Sequence, residues 1–153
     1  MPCLVWMAGL MLSALSVSGS EEAAGDRQLD EAWQDLATLK VSDAHAAFEK
    51  AHRTNGSQES AYGLALSLLN LQPKTNRNIE RAQELLEGLA ADGETDAFII
   101  NARYFLARID QVHRTHVDPE AAIEAYRRLL EDFPDQSLAG KAVPKLASVL
   151  LIQ

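Results

Sequence analysis

Apolar positions in this chain recur every three or four residues, and short polar breaks interrupt them. Trp33, Leu36 and Leu39 share one face and predict a first helix over 29–40. Ala44, Phe48 and Ala51 predict a second, with Ser42 as its cap. "TNGS" at 54–57 reads as a turn, and Ser57 as the cap of a third helix reaching Asn70. After the loop "LQPKTNRN", Asn78 opens a fourth helix that closes near Asp92-Gly93. A fifth runs from Asp96 to His113. Asp118 then supplies an N-cap and Pro119 the first residue of a sixth helix, which Phe133-Pro134 ends. A seventh begins near Asp135 or Ser137, and Pro144 within it should kink the axis or delay the start. Period-two alternation is rare, so the predicted class is all-α.

The second helix of each successive pair carries the same signature. Ala44, Phe48 and Ala51 match Ala82, Leu86 and Leu89, and these match Ala122, Tyr126 and Leu129. The leading alanines lie 38 and 40 residues apart. In the preceding helices, the pairs Leu64-Ala65, Leu106-Ala107 and Leu146-Ala147 lie 42 and 40 residues apart. Self-similarity at such a period is the mark of stacked helix pairs. The small residue lets two helices approach closely, and the large one fills the groove between neighbouring pairs. The competing reading is an ordinary helical bundle in which an Ala/Leu pattern recurs by chance.

In "AIEAYRRLLEDFP" the residues Ala122, Tyr126, Leu129 and Pro134 resemble the second helix of the tetratricopeptide repeat (TPR) family. Leu64-Ala65 and Leu106-Ala107 stand where that family has its first-helix Leu-Gly pair. The period exceeds the family's own, with the extra length in "LQPKTNRN" and "QVHRTHVD". That spacing and "LLEGLAADGETDA" are similar to the related Sel1-like repeats. The resemblance implies a right-handed α-solenoid of antiparallel helix pairs, a TPR-like superhelix, over 29–153. It also implies a concave groove lined by the first helix of each pair, able to take a peptide or a partner's helix.

Residues 1–20 change the picture of where the chain works. They carry no charged side chain, and Leu4 to Val17 form an apolar run of about 14 residues, short for a membrane span. The run matches the core of a secretory signal peptide, with Val17 and Gly19 as the small residues before a cleavage site. The expected organisation is a signal peptide at 1–19, a polar spacer at 20–28 and the repeat domain beyond. The destination is then the periplasm or the cell exterior, with no membrane insertion after cleavage. Cys3 is the only cysteine, so the processed chain has no thiol and no disulfide. A net charge of −8 without a Lys/Arg stripe argues against nucleic-acid binding.

Candidate chemistry is sparse. No Gly-rich phosphate loop, nucleophile elbow or H-E-x-x-H motif is present. His113 and His116, flanked by Asp110 and Asp118, have zinc-ligand residue types but straddle a loop without a further ligand motif. Neither an enzyme nor a cofactor is expected. His45 and His52, seven apart, read as decoration of a helix face. The resemblance points to Asn101, Tyr104 and Arg108 as groove residues of the fifth helix, with Tyr62 and Leu66 at matching positions of the third. Tyr and Arg make good anchors because they combine contact area with hydrogen bonding. The alternative is that Tyr104 is packed and Arg108 solvated. The implied role is a non-catalytic protein-interaction scaffold in the bacterial envelope or outside the cell. A regulatory or substrate-presenting subunit of an enzyme complex is the second reading, and a metal-dependent enzyme the last. The apolar C-terminal helix is a candidate surface for homo-oligomer formation.

Overall fold

The computed structural model describes the backbone of residues 18–91 and 96–152, and side chains from residue 25 onward. The expected signal peptide and Cys3 therefore lie almost wholly outside the described residues, as does the Asp92-Gly93 helix end. The described chain is all-helical: α1 (Ser18–Ala37), α2 (Val41–Asn55), α3 (Gln58–Asn70), α4 (Asn76–Ala90), α5 (Ala97–Arg108), α6 (Pro119–Asp132) and α7 (Ala142–Leu150). Each helix packs on its neighbours in sequence, and α1 also touches α3, as α3 touches α5.

Local chemistry accounts for most boundaries. Ser57, Asp96 and Asp118 each cap a helix by accepting a backbone N–H three residues on, and Pro119 occupies the first turn of α6. Gly56 ends α2 in the left-handed conformation with φ 58°. Other boundaries differ from the sequence reading. Ser42 lies inside α2, whose preceding residue Lys40 makes no side-chain cap. Thr75, not Asn78, caps α4, and its oxygen accepts from the Asn78 N–H. Helix α1 begins at Ser18, so the expected polar spacer is helical from its first residue. Its Glu, Ala and Gln residues favour helix but carry no apolar stripe to announce it. Pro144 stands in the first turn of α7, after a 3-10 turn at Ala139–Lys141, which is the delayed start its ring requires.

Leu39 departs furthest from its expected place. It is 84% exposed and adopts φ 64°. The Lys40 N–H donates to Asp35 O at 2.8 Å and the Leu39 N–H to Leu36 O at 3.2 Å. This is the Schellman pair of bonds, with leucine where glycine is usual. The tight turn into α2 takes Leu39 off the apolar face.

The three signature alanines, Ala44, Ala82 and Ala122, are all fully buried, as are Phe48, Leu86 and Tyr126. The apolar interior has two parts. One joins α1 to α4 and takes Ala102 and Ile109 from the fifth helical segment; the other joins α6 and α7 and takes Ile100 and Ala107 from α5. Aromatic rings run across the first part and into the second. Phe48 meets Trp33 edge-on at 4.7 Å between centroids, Trp33 meets Tyr62 at 5.9 Å, and Tyr62 meets Phe98 and Phe105 at 5.8 and 6.1 Å. Tyr104 continues the line between Phe105 at 5.2 Å and Tyr126 at 6.1 Å.

Gly63 is what lets α2 and α3 approach this closely. A Cβ there would collide with three carbons of the buried Phe48 ring. Alanine in a helix is favoured over glycine by about 1 kcal/mol. The ring has no free end to yield, however, and overpacking a core costs about 1–3 kcal/mol. Gly63→Ala is therefore expected to lower unfolding stability by about 1–2 kcal/mol, read as a lower urea midpoint with an unchanged slope.

Candidate functional site

The residues singled out for a groove lie on the consecutive odd-numbered helices α3 and α5, and all five are half-buried. Tyr62 on α3 and Tyr104 on α5 both touch the ring of Phe105. Burial and the nearby Tyr104 push the Tyr62 hydroxyl up to about 12, so it stays protonated and able to donate. Leu66 lies one turn beyond Tyr62 on the same stripe of α3. Asn101 turns its amide back to its own helix, donating to Ala97 O at 2.7 Å.

Arg108 is not merely solvated. Its guanidinium donates to Gln111 Oε1 at 2.9 Å, and the Tyr126 hydroxyl donates to the same oxygen at 2.8 Å. Gln111 Nε2 in turn donates to Ser148 Oγ of α7 at 3.2 Å, and Ser148 donates to Lys145 O at 2.7 Å. Gln111 is thus a hub joining α5, α6 and α7, a role sequence reasoning missed. Its placement depends on a π-helical turn, Ile109–His113, where the Arg114 N–H reaches back to Ile109 O. That turn supplies the final part of the predicted fifth helix.

The segment after the π-helical turn is pinned to α4 and the loop before it. Arg114 donates to Asp110 at 2.6 Å and to Gln83 of α4 at 2.9 Å, and Thr115 donates to Asn76 at 3.0 Å. These contacts and the α6 cap engage both carboxylates that flanked the candidate zinc pair: Asp110 pairs with Arg114, and Asp118 caps α6. His113 faces the Lys74 ammonium at 3.4 Å, while His116 is exposed. Among the described residues, no three His, Cys, Asp or Glu side chains gather into a metal-binding group.

Two further histidines do more than decorate α2. His45 Nδ1 lies 3.1 Å from Ser67 Oγ, and His52 Nδ1 lies 3.4 Å from Ser60 Oγ. Both serines are fully buried. Because the Ser67 hydroxyl donates to Leu64 O at 2.7 Å, its one proton is committed, and His45 Nδ1 is the donor to it. The signal was present in the sequence: two histidines seven apart on α2 match two serines seven apart on α3, in opposite chain directions. Ion pairs elsewhere are superficial. Glu49 accepts from Arg53 at 3.1 Å and from Arg81 of α4 at 3.2 Å, which, led by the Arg53 bond, holds its carboxyl below the usual range. Arg128 donates to Glu124 one turn earlier on α6 at 2.8 Å.

Comparison with protein-family models, with curated proteins and with solved structures finds no match for this chain. The site therefore rests on its own geometry.

That geometry gives a pH dependence. Burial first, and then Lys74 and Arg108, lower the His113 pKa from 6.5 to about 4. Burial also lowers that of His45, with Glu49 opposing. Both are neutral in the folded chain, and unfolding lets them take up protons. Stability is therefore complete above pH 6.5 and falls as the pH drops towards 4. Urea midpoints measured from pH 7 down to about 5 should decline, and His113→Gln, which keeps an acceptor for Lys74, should flatten the decline.

Proposed function

We propose that this chain is a right-handed α-solenoid of TPR-like helix pairs that serves as a non-catalytic protein-interaction scaffold. The groove of that scaffold is formed by α1, α3 and α5, the leading helices of the three pairs. It takes an extended peptide or an amphipathic helix of a partner. The observation that carries the reading is that α1 meets α3 and α3 meets α5, so the leading helices adjoin along one side. The buried small and large residues recurring at Ala44/Phe48, Ala82/Leu86 and Ala122/Tyr126 support the same repeat register.

Tyr62, Leu66, Asn101, Tyr104 and Arg108 are the proposed contacts. The aromatic rings offer rigid area, and Arg108, held by Gln111, offers a preorganised cation in a chain of net charge −8. The affinity comes from a few such anchors rather than from the whole groove. The scaffold works in the bacterial periplasm or outside the cell, after removal of residues 1–19.

Affinity capture from the native cell should return a stoichiometric protein partner. Leu66→Glu and Arg108→Ala should each weaken that capture by about tenfold, while circular dichroism stays unchanged. Loss of helicity in both variants, or capture unaffected by either, would remove the groove from the reading. For export, N-terminal sequencing of the protein from its cell should begin at Ser20; an intact Met1 would refute cleavage.

A further inference from the structure

We propose that the α1–α3 end of the groove is an arginine subsite, where a guanidinium of the bound segment stacks on the Trp33 ring beside Tyr62 and donates to the Glu59 carboxylate. The inference rests on the proposed groove for its setting and adds the chemistry of what enters it. It begins from a polar contact between α1 and α3. Trp33 Nε1 donates to Glu59 Oε1 at 2.7 Å. The Tyr62 ring, three residues further along α3, lies 5.9 Å from the Trp33 ring at an interplanar angle of 42°. Two rings and a carboxylate therefore meet at one junction. All three residues are half-buried, so each keeps part of its surface in water.

Charge identifies the occupant. Glu49 and Asp132 also bond to another helix, and each meets an arginine there, Arg81 and Arg103. Glu59 meets a neutral indole N–H instead, and it enters none of the ion pairs among the described residues. The indole takes one of about four acceptor sites on that carboxylate. The face of the same indole is negative, and tryptophan attracts a cation more strongly than any other aromatic side chain. A guanidinium answers both features at once. It is planar, so it lies flat on a ring, and its fork of N–H donors reaches a carboxylate at the ring's edge. A quaternary ammonium has no N–H and would satisfy the ring alone.

The surroundings have the matching sign. Asp26, Asp30, Glu31 and Asp35 lie on the described turns of α1 against Arg27 alone, in a chain of net charge −8. Such a field draws a basic segment towards this end. Arg108, on α5, gives the groove the opposite sign further along. The two charges orient the bound segment, with its arginine over α1 and α3.

Proton–nitrogen NMR of the full chain, following the Trp33 indole N–H, tests this with N-acetyl-arginine amide as the probe. The resonance should shift saturably, with a dissociation constant in about the millimolar range. N-acetyl-citrulline amide, the neutral isostere, should leave it in place. Tetramethylammonium, with no N–H for Glu59, should bind about tenfold more weakly than the arginine probe. Glu59→Gln keeps an acceptor for the indole but loses the charge, and should weaken arginine binding by about tenfold. Glu31→Gln, exposed and on another side of α1 from Trp33, should change it by less than about twofold. No saturable shift with arginine, equal binding of citrulline or tetramethylammonium, or an equal response of the two glutamine variants overturns the proposal. The probes are compared on the unaltered chain, so they decide the matter even where a variant misfolds. A captured partner without an arginine response removes the subsite and leaves the groove; an arginine response without a captured partner does the reverse.

Discussion

The closeness of approach between successive helices is what every other feature of this molecule depends on. Alanine at 44, 82 and 122 and glycine at 63 leave room where helices meet. The Phe48 ring fills the room at Gly63, and Leu86 and Tyr126, four residues on from Ala82 and Ala122, are as fully buried as Phe48. Interiors are close-packed, so a small residue and its large neighbour act as one unit. Neither could change size alone without opening a void or forcing a shift. Burial of the backbone follows as well, because the helices satisfy their own N–H and C=O groups and can be pressed together without losing bonds.

On this scaffold the polar groups are arranged economically. Ser60 and Ser67, the two buried polar residues among those described, return a hydrogen bond to a carbonyl three residues back and lie against a histidine from α2. Among the described residues no buried side-chain nitrogen or oxygen is left without a partner. A concentrated network, Tyr126, Arg108, Gln111 and Ser148, lies where three helices converge, and a shared carboxamide oxygen anchors both of its main donors. Such a network fixes the relative setting of α5, α6 and α7 more sharply than apolar contact can, since apolar contact tolerates sliding.

Much of this was legible in the sequence, and the reasons differ by element. Helices bearing both an apolar stripe and a cap residue were read closely, as with α3, α6 and the start of α5. Period and capping chemistry there report the same boundary. α1 was read too short because its leading residues have helical propensity but nothing to bury. Leu39 was misplaced because a leucine in a left-handed turn leaves no local mark, unlike Gly56. The π-helical turn was illegible because one added residue in a helical ladder does not disturb a pattern read in steps of three and four. Of the proposed groove residues, Tyr62 and Tyr104 share contact with the Phe105 ring, a proximity that no single helix stripe announces. The bond from Arg108 to Gln111 was missed because it needs that turn to bring them together.

The division of the interior has a dynamic meaning. The segment from α5 into the π-helical turn lends Ala102 and Ile109 to one cluster and Ile100 and Ala107 to the other, so it is the shared wall of both. Opening that wall would strip two interiors at once, whereas peeling away α7 would disturb one. Amide protons along α5 should accordingly sit in the slowest-exchanging class, with protection declining outward towards either end of the row. The molecule would then breathe from its extremities while its centre stays shut.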